Sequence, residues 1–81
     1  MKPRVTLYTR KGCHLCDDAK AVIDSARTRA AFDYEEFDID CNEELRRLYT
    51  NEVPVIAING AKAFKYRVTM AEFLRKLQAR S

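Results

Sequence analysis

Two cysteines three positions apart, Cys13 and Cys16, are the residues here whose type and spacing carry a chemistry of their own. Thiols at that spacing can close a small ring and reopen it, which is dithiol–disulfide exchange. They can also supply half of a zinc site, but zinc takes four ligands. Only His14 and Cys41 remain to complete such a site. His14 lies inside the loop between the two thiols, where it cannot easily turn to the same ion, so no metal is expected. Haem attachment would need a histidine directly after Cys16, and Asp17 stands there. Exchange chemistry is what is left. Arg10 and Lys11 precede the pair. They either stabilise a thiolate and draw in an anionic substrate, or stand as two solvated loop charges. His14 either tunes the disulfide when protonated or remains an exposed side chain. Asp17 and Asp18 suit the first turn of a helix better than the role of a general base.

The flanking elements explain why a thiol here would react. Val5-Thr6-Leu7-Tyr8 is short, β-prone and apolar on both faces, the pattern of a buried central strand, and Gly12 interrupts it. From Leu15 onward, apolar residues recur at Ala19, Val22, Ile23, Ala26 and Ala30, a period near 3.6 that predicts a helix running to about Arg29. The cysteines therefore fall where a strand turns into the first turn of a helix. Amide N–H groups there lack intrahelical partners, and the macrodipole favours negative charge. A thiolate is such a charge, so the position lowers the pKa of Cys13 and makes it a nucleophile near neutral pH.

The chain has 81 residues and reads as one domain, residues 1–81, with a thin core. Hydrophobic residues make up 47% and charged residues 33%, the balance of a globular rather than a disordered chain. A net charge of +3, with basic residues scattered among acids, does not call for nucleic acid. No apolar stretch approaches the ~20 residues of a membrane span, and no charged start leads into an apolar signal core, so a cytoplasmic location is expected. Three cysteines are an odd number, which argues against a secreted disulfide framework and for redox chemistry in a reducing compartment.

Further along, residues 32–39 are rich in aromatic and β-branched types, but their apolar phase shifts between Tyr34 and Phe37, predicting a bulge or a late strand start. Strand, helix, strand in this order implies a parallel pair joined by a right-handed crossover. Asp40 and Glu43 have capping-box spacing ahead of a second helix with Leu45, Leu48 and Tyr49 on its apolar stripe. Val53-Pro54-Val55-Ile56-Ala57-Ile58 and Ala61-Lys62-Ala63-Phe64 flank Asn59-Gly60, a strong hairpin signal. Thr69 with Glu72 forms another capping box, and Val68 with Phe73 a hydrophobic staple, opening a third helix that buries Met70, Phe73, Leu74 and Leu77. The resulting order is βαβαββα: an α/β chain, a three-layer sandwich around a four-stranded mixed sheet.

Gly12-Cys13-His14-Leu15-Cys16 after a strand, then Glu52-Val53-Pro54-Val55-Ile56, then Ile58-Asn59-Gly60 resemble the thioredoxin fold in its short glutaredoxin version, over essentially the whole chain. The resemblance, nearest to small bacterial glutaredoxin-like proteins, implies Cys13 as the attacking thiol and Cys16 as the resolving one. It implies a cis bond before Pro54, with the Val53 backbone offered to substrate as an added strand partner. Lys11, His14, Val53, Pro54, Arg67 and Thr69 are then the substrate-binding candidates. Family glutaredoxins carry a Gly-Gly turn after the hairpin and then a Cys-Asp pair that holds the glutathione carboxylate. Here Phe64-Lys65-Tyr66-Arg67-Val68-Thr69 has neither, leaving Lys65, Arg67 and the amides opening the third helix to hold a carboxylate.

The function implied is thiol–disulfide oxidoreduction on protein disulfides or glutathione-mixed disulfides. No tightly bound cofactor is expected; glutathione enters as a cosubstrate. Electrons come from glutathione or from a thioredoxin-reductase-type flavoprotein, and the chain works as a monomer without nucleic acid or membrane. Two other classes are open. One is a [2Fe–2S] carrier holding its cluster between two protomers with Cys13 and two glutathiones, as some glutaredoxins resemble. The other is a binding module whose thiols stay idle. Cys41, near the start of the second helix, is either a regulatory thiol or an incidental surface one.

Overall fold

Alternation along one central strand decides which face each helix must cover. In the computed structural model, which describes residues 2–80, β1 (Arg4–Thr9) lies between β2 (Asp33–Asp38), parallel to it, and β3 (Val55–Ile58), antiparallel. β4 (Ala61–Lys65) pairs outside β3, so the sheet order is β2-β1-β3-β4. Val5 and Leu7 point to one face, with Ile56 and Ile58 from β3 in register. There they meet Ala19, Ile23 and Ala26 of α1 (His14–Ala26) and Phe73 and Leu77 of α3 (Met70–Arg80). That cluster is the core, and Phe73 is wholly buried, edge-on to Phe32.

The opposite face is covered more thinly. Thr6 is buried there and its hydroxyl donates to Glu35 Oε1 at 2.9 Å. Tyr8 stacks on Phe37 and on Tyr49, with ring centroids at 5.9 and 4.9 Å. Tyr49 ends α2 (Glu43–Tyr49), a helix with no buried residue, whose Leu48 is 54% exposed. The short α2 therefore covers the aromatic row without closing a second core. None of the helices described is long and apolar enough to cross a membrane.

The βαβαββα order matches the sequence reading, with one 3-10 turn (Ile39–Cys41) added. Boundaries differ for physical reasons. α1 ends at Ala26 rather than Arg29, because the chain tightens: Thr28 N donates to Ser25 O and Arg29 N to Ala26 O, which delivers Phe32 to the core. β2 contains no bulge against β1. The phase shift arises because Phe32 is buried before the strand begins, whereas Phe37 faces the aromatic row. A register shift does occur in β4, where Ala63 has no partner in the ladder.

Asp40 does not cap α2. Asn42 does, its Oδ1 accepting from Leu45 N at 3.0 Å, while Asp38 Oδ1 accepts from Asp40 N. The hairpin is as expected: Asn59 and Gly60 have φ of 53° and 84°, both positive as this two-residue turn requires. Arg4 and Asn59 then exchange hydrogen bonds, fastening the hairpin to β1. Thr69 caps α3 as predicted, its Oγ1 accepting from Glu72 N at 3.2 Å, but the Glu72 carboxylate completes no capping box, since its Oε1 accepts from the Thr69 hydroxyl at 2.9 Å and not from the Thr69 backbone. Replacing Asn42 by alanine should lower the unfolding free energy by about 1 kcal/mol in urea titrations, the usual loss of an N-cap oxygen.

Candidate active site

Thr9 ends β1, and Gly12 turns the chain with φ of 75°, a left-handed conformation that a side chain would strain. Cys13 follows in extended geometry and takes the N-cap position of α1. Its sulfur stands where a capping oxygen would: Cys16 N–H donates to Cys13 Sγ at 3.1 Å. Asp17 N donates to the Cys13 carbonyl, so the first helical turn closes directly behind the sulfur. Cys13 is half-buried and Cys16 is 2% exposed; the two are joined as a disulfide, with Cα atoms 5.2 Å apart. One sulfur meets solvent and the other lies beneath it.

Arg10 is not free to attend to a thiolate. Its guanidinium forks onto Asp40, Nε to Oδ2 at 2.9 Å and Nη2 to Oδ1 at 2.8 Å, and Nη1 reaches the Thr50 carbonyl at 3.3 Å. The hydrogen bond holds the Asp40 carboxyl below its ordinary range and raises the guanidinium further. Arg10 thus ties the loop before the cysteines to the 3-10 turn and to the end of α2. Lys11 is exposed and shares a depression of about 250 Å³ with Cys16, Asp17, Lys20, Glu36 and Asp38. His14 is exposed as the first residue of α1.

Pro54 is fully buried behind a cis bond to Val53, which is half-buried. Tyr66 fastens this segment: its N–H donates to the Pro54 carbonyl and its hydroxyl to the Asn51 carbonyl, each at 2.9 Å. Tyr66 holds φ of 69°, rare for a residue with a side chain. Arg67 is exposed and lines a small depression of about 170 Å³ with Leu15, Asp18 and Tyr66. The Thr69 hydroxyl is committed to its helix cap. The structure thus brings Lys11 beside Cys16 and sets Arg67 against the first turns of α1. His14, Val53, Pro54 and Thr69 line neither depression. Cys41 is exposed in the 3-10 turn. Among the described residues, no three His, Cys, Asp or Glu side chains converge as metal ligands would.

Sequence reasoning missed four participants: Asp40 as the partner of Arg10, Tyr66 as the fastening of the Pro54 segment, and Glu36 and Asp38 beside Cys16. Only Tyr66 left a trace, since it follows the hairpin where the resembling family carries a Gly-Gly turn and this chain does not. Removing its hydroxyl in Tyr66→Phe should cost about 1 kcal/mol by urea denaturation. Hydrogen exchange should quicken at the Tyr66 amide while the Ile56 amide keeps its protection relative to global unfolding. For Asp40 the lowered carboxyl pKa means the pair contributes above the ordinary aspartate range and is lost as pH falls through the folded value. The melting-temperature advantage of the native chain over Asp40→Asn should therefore hold steady above about pH 5 and shrink as pH falls through and below the ordinary aspartate range.

Residues 4–78 match a family model described as Glutaredoxin-like domain (DUF836). The Glutaredoxin-like protein YDR286C homolog of Dictyostelium discoideum is 36% identical over 70 residues, which cover 79% of this chain. The chain spans 65% of the length of that relative. The X-ray structure of target protein XcR50 from X. campestris superposes with a TM-score of 0.80 at 28% identity, covering 95% of this chain and 99% of that one. Fasciola hepatica thioredoxin, 18% identical, gives a TM-score of 0.66 over 99% of this chain and 82% of its own, a likeness of fold alone.

Proposed function

The chain belongs to the glutaredoxin-like domain family and has the thioredoxin-like fold, and from that premise we propose that it is a thiol–disulfide oxidoreductase acting through Cys13 and Cys16. One observation carries this: a backbone N–H at the start of α1 is aimed at Cys13 Sγ, with a second sulfur bonded beneath it. In the reduced state the same N–H donates to a thiolate, a charge-assisted hydrogen bond that favours ionisation.

The exchange follows from that geometry. Cys13 thiolate attacks one sulfur of a substrate disulfide, and the other sulfur leaves with the electron pair and takes up a proton. A mixed disulfide now joins Cys13 to substrate. Cys16 gives up its proton and attacks Cys13 Sγ, expelling the second substrate thiolate, which is protonated in turn. Two electrons and two protons pass to substrate, and the Cys13–Cys16 bond remains. A thiol reductant then restores the pair.

The substrate is a protein disulfide or a glutathione-mixed disulfide. Val53 would offer its backbone to an extended substrate, and Lys11 and Arg67 would attract carboxylates. His14 would modulate the disulfide from the exposed end of α1, and the amide of Thr69, rather than its hydroxyl, is the group left for a ligand. Glutathione serves as cosubstrate and nothing stays tightly bound between turnovers. The chain acts as a monomer in the cytoplasm, reduced by glutathione or by a thioredoxin-reductase-type flavoprotein. Turnover of a small mixed disulfide with glutathione, set against turnover with NADPH and thioredoxin reductase, separates those reductants.

Cys13→Ser should abolish disulfide reduction with either reductant. Cys16→Ser should accumulate a mixed disulfide visible by mass spectrometry and keep only monothiol turnover; full dithiol activity in that variant would contradict the roles. Alkylation of Cys13 by iodoacetamide should titrate below the ~8.5 of a free thiol, and a midpoint at that value would mean idle thiols.

A further inference from the structure

The depression beside Cys16 does not end at the active-site loop. Glu36 and Asp38, which line it, also line a larger groove of about 570 Å³ on the far side of β2. β2 is an edge strand, and the two hollows have Glu36 and Asp38 in common at its free margin. The groove floor is apolar, made by Tyr8, Phe37 and Leu45, and Phe37 is 42% exposed although its ring stacks on Tyr8. Its rim is acidic: Glu36, Asp38 and Glu44. No lysine or arginine lines it among the described residues. Lys20 Nζ lies 3.5 Å from Glu36 Oε1 on the α1 side, the Tyr34 hydroxyl donates to the same oxygen at 2.7 Å, and Glu44 forms no ion pair among the described residues. On a chain of net charge +3, this is a local inversion of charge around an open aromatic surface.

The geometry points to a docking surface for a basic, apolar-anchored segment of a protein substrate, running from the disulfide being reduced around the β2 edge. An apolar side chain covers Leu45 and the groove floor, while an arginine guanidinium lies over the exposed part of the Phe37 ring and pairs with the rim carboxylates. Continuity with the Cys16 depression makes the groove part of one track, and the charge decides its occupant. The proposal deepens the oxidoreductase reading and takes from it the disulfide chemistry, but binding in the groove needs no chemistry.

That separation shapes the test. A fluorescent, cysteine-free peptide carrying arginines around a leucine is titrated against the oxidised chain by anisotropy, beside its glutamate counterpart. Preferential binding of the arginine peptide, weakened about tenfold in Phe37→Ser and in Glu44→Lys, supports the surface. Both substitutions are at exposed positions, and circular dichroism checks that each variant is folded. Equal affinity for the two peptides, no binding, or undiminished binding in both variants overturns it. The same peptides bearing a disulfide are then compared with a small neutral disulfide. A kcat/KM advantage for the arginine peptide that both variants remove, with the small disulfide unaffected, extends the surface to catalysis. If the small disulfide is not reduced at all, the oxidoreductase reading falls, while the anisotropy result still decides the groove.

Discussion

The structure depends on a single hydrogen-bond donor having nowhere else to go. The amide of Cys16 lies in the first turn of α1, before any intrahelical carbonyl can serve it, and it settles on Cys13 Sγ at 3.1 Å. An ordinary helix start places a serine, threonine or aspartate oxygen there. Here a sulfur takes that position, so the contact that begins the helix also fixes Cys13 Sγ above the second sulfur. Several other features serve this arrangement: Gly12 supplies the left-handed turn, β1 fixes where the turn starts, and the cover over Cys16 keeps the second sulfur below the first.

The loop that presents Cys13 and the segment that carries Pro54 are each fastened, by contacts unlike each other. In the first, Arg10 forks onto Asp40 and reaches the Thr50 carbonyl, joining the loop to a part of the chain that has almost no core of its own. Both partners are partly exposed, at 30% and 41%, so the pair acts by geometry more than by energy. A bidentate fork fixes direction as well as distance. In the second, Tyr66 binds the Pro54 segment through its backbone and its hydroxyl, without a charge. The fold spends little of its apolar surface on either support, which suits a chain of 81 residues.

What could be read from the chain beforehand was whatever depends on neighbours in sequence. The Cys13 and Cys16 spacing and the Asn59-Gly60 turn are contained within a few residues and stand as read, and Thr69 caps its helix as read although Glu72 returns to the hydroxyl and not to the backbone. The misreadings came from contacts that cross the chain. Asp40 has the type and spacing of a cap, but Arg10, thirty residues earlier, claims its carboxylate, and Asn42 takes the cap. Of the two readings of the phase shift after Phe32, the late start holds and the bulge does not: β2 opens at Asp33, after Phe32 has entered the core, and its ladder with β1 is unbroken. Of the candidate site, the cysteines were legible from local pattern. The grouping of Glu36 and Asp38 around Cys16 follows from β2 lying parallel to β1, a relation no local window contains.

Tyr66 shows how the two kinds of information meet. A position that demands positive φ is ordinarily given to glycine, and a side chain there costs roughly 1–2 kcal/mol. Glycine would remove that cost but would also leave the segment after the hairpin free to sample many conformations. With tyrosine, the hydroxyl reaches the Asn51 carbonyl, and Lys65 Nζ lies 5.5 Å from the ring centroid. These two side-chain contacts are of the size needed to offset the backbone strain, whereas the N–H bond to Pro54 would be made by either residue. The segment bearing Arg67 is then held by its side chains before any ligand arrives. A ligand meeting that wall loses less free energy to ordering it than it would against a glycine turn. Strain at residue 66 is therefore coupled to the rigidity of the wall facing the first turns of α1, and the two would change together.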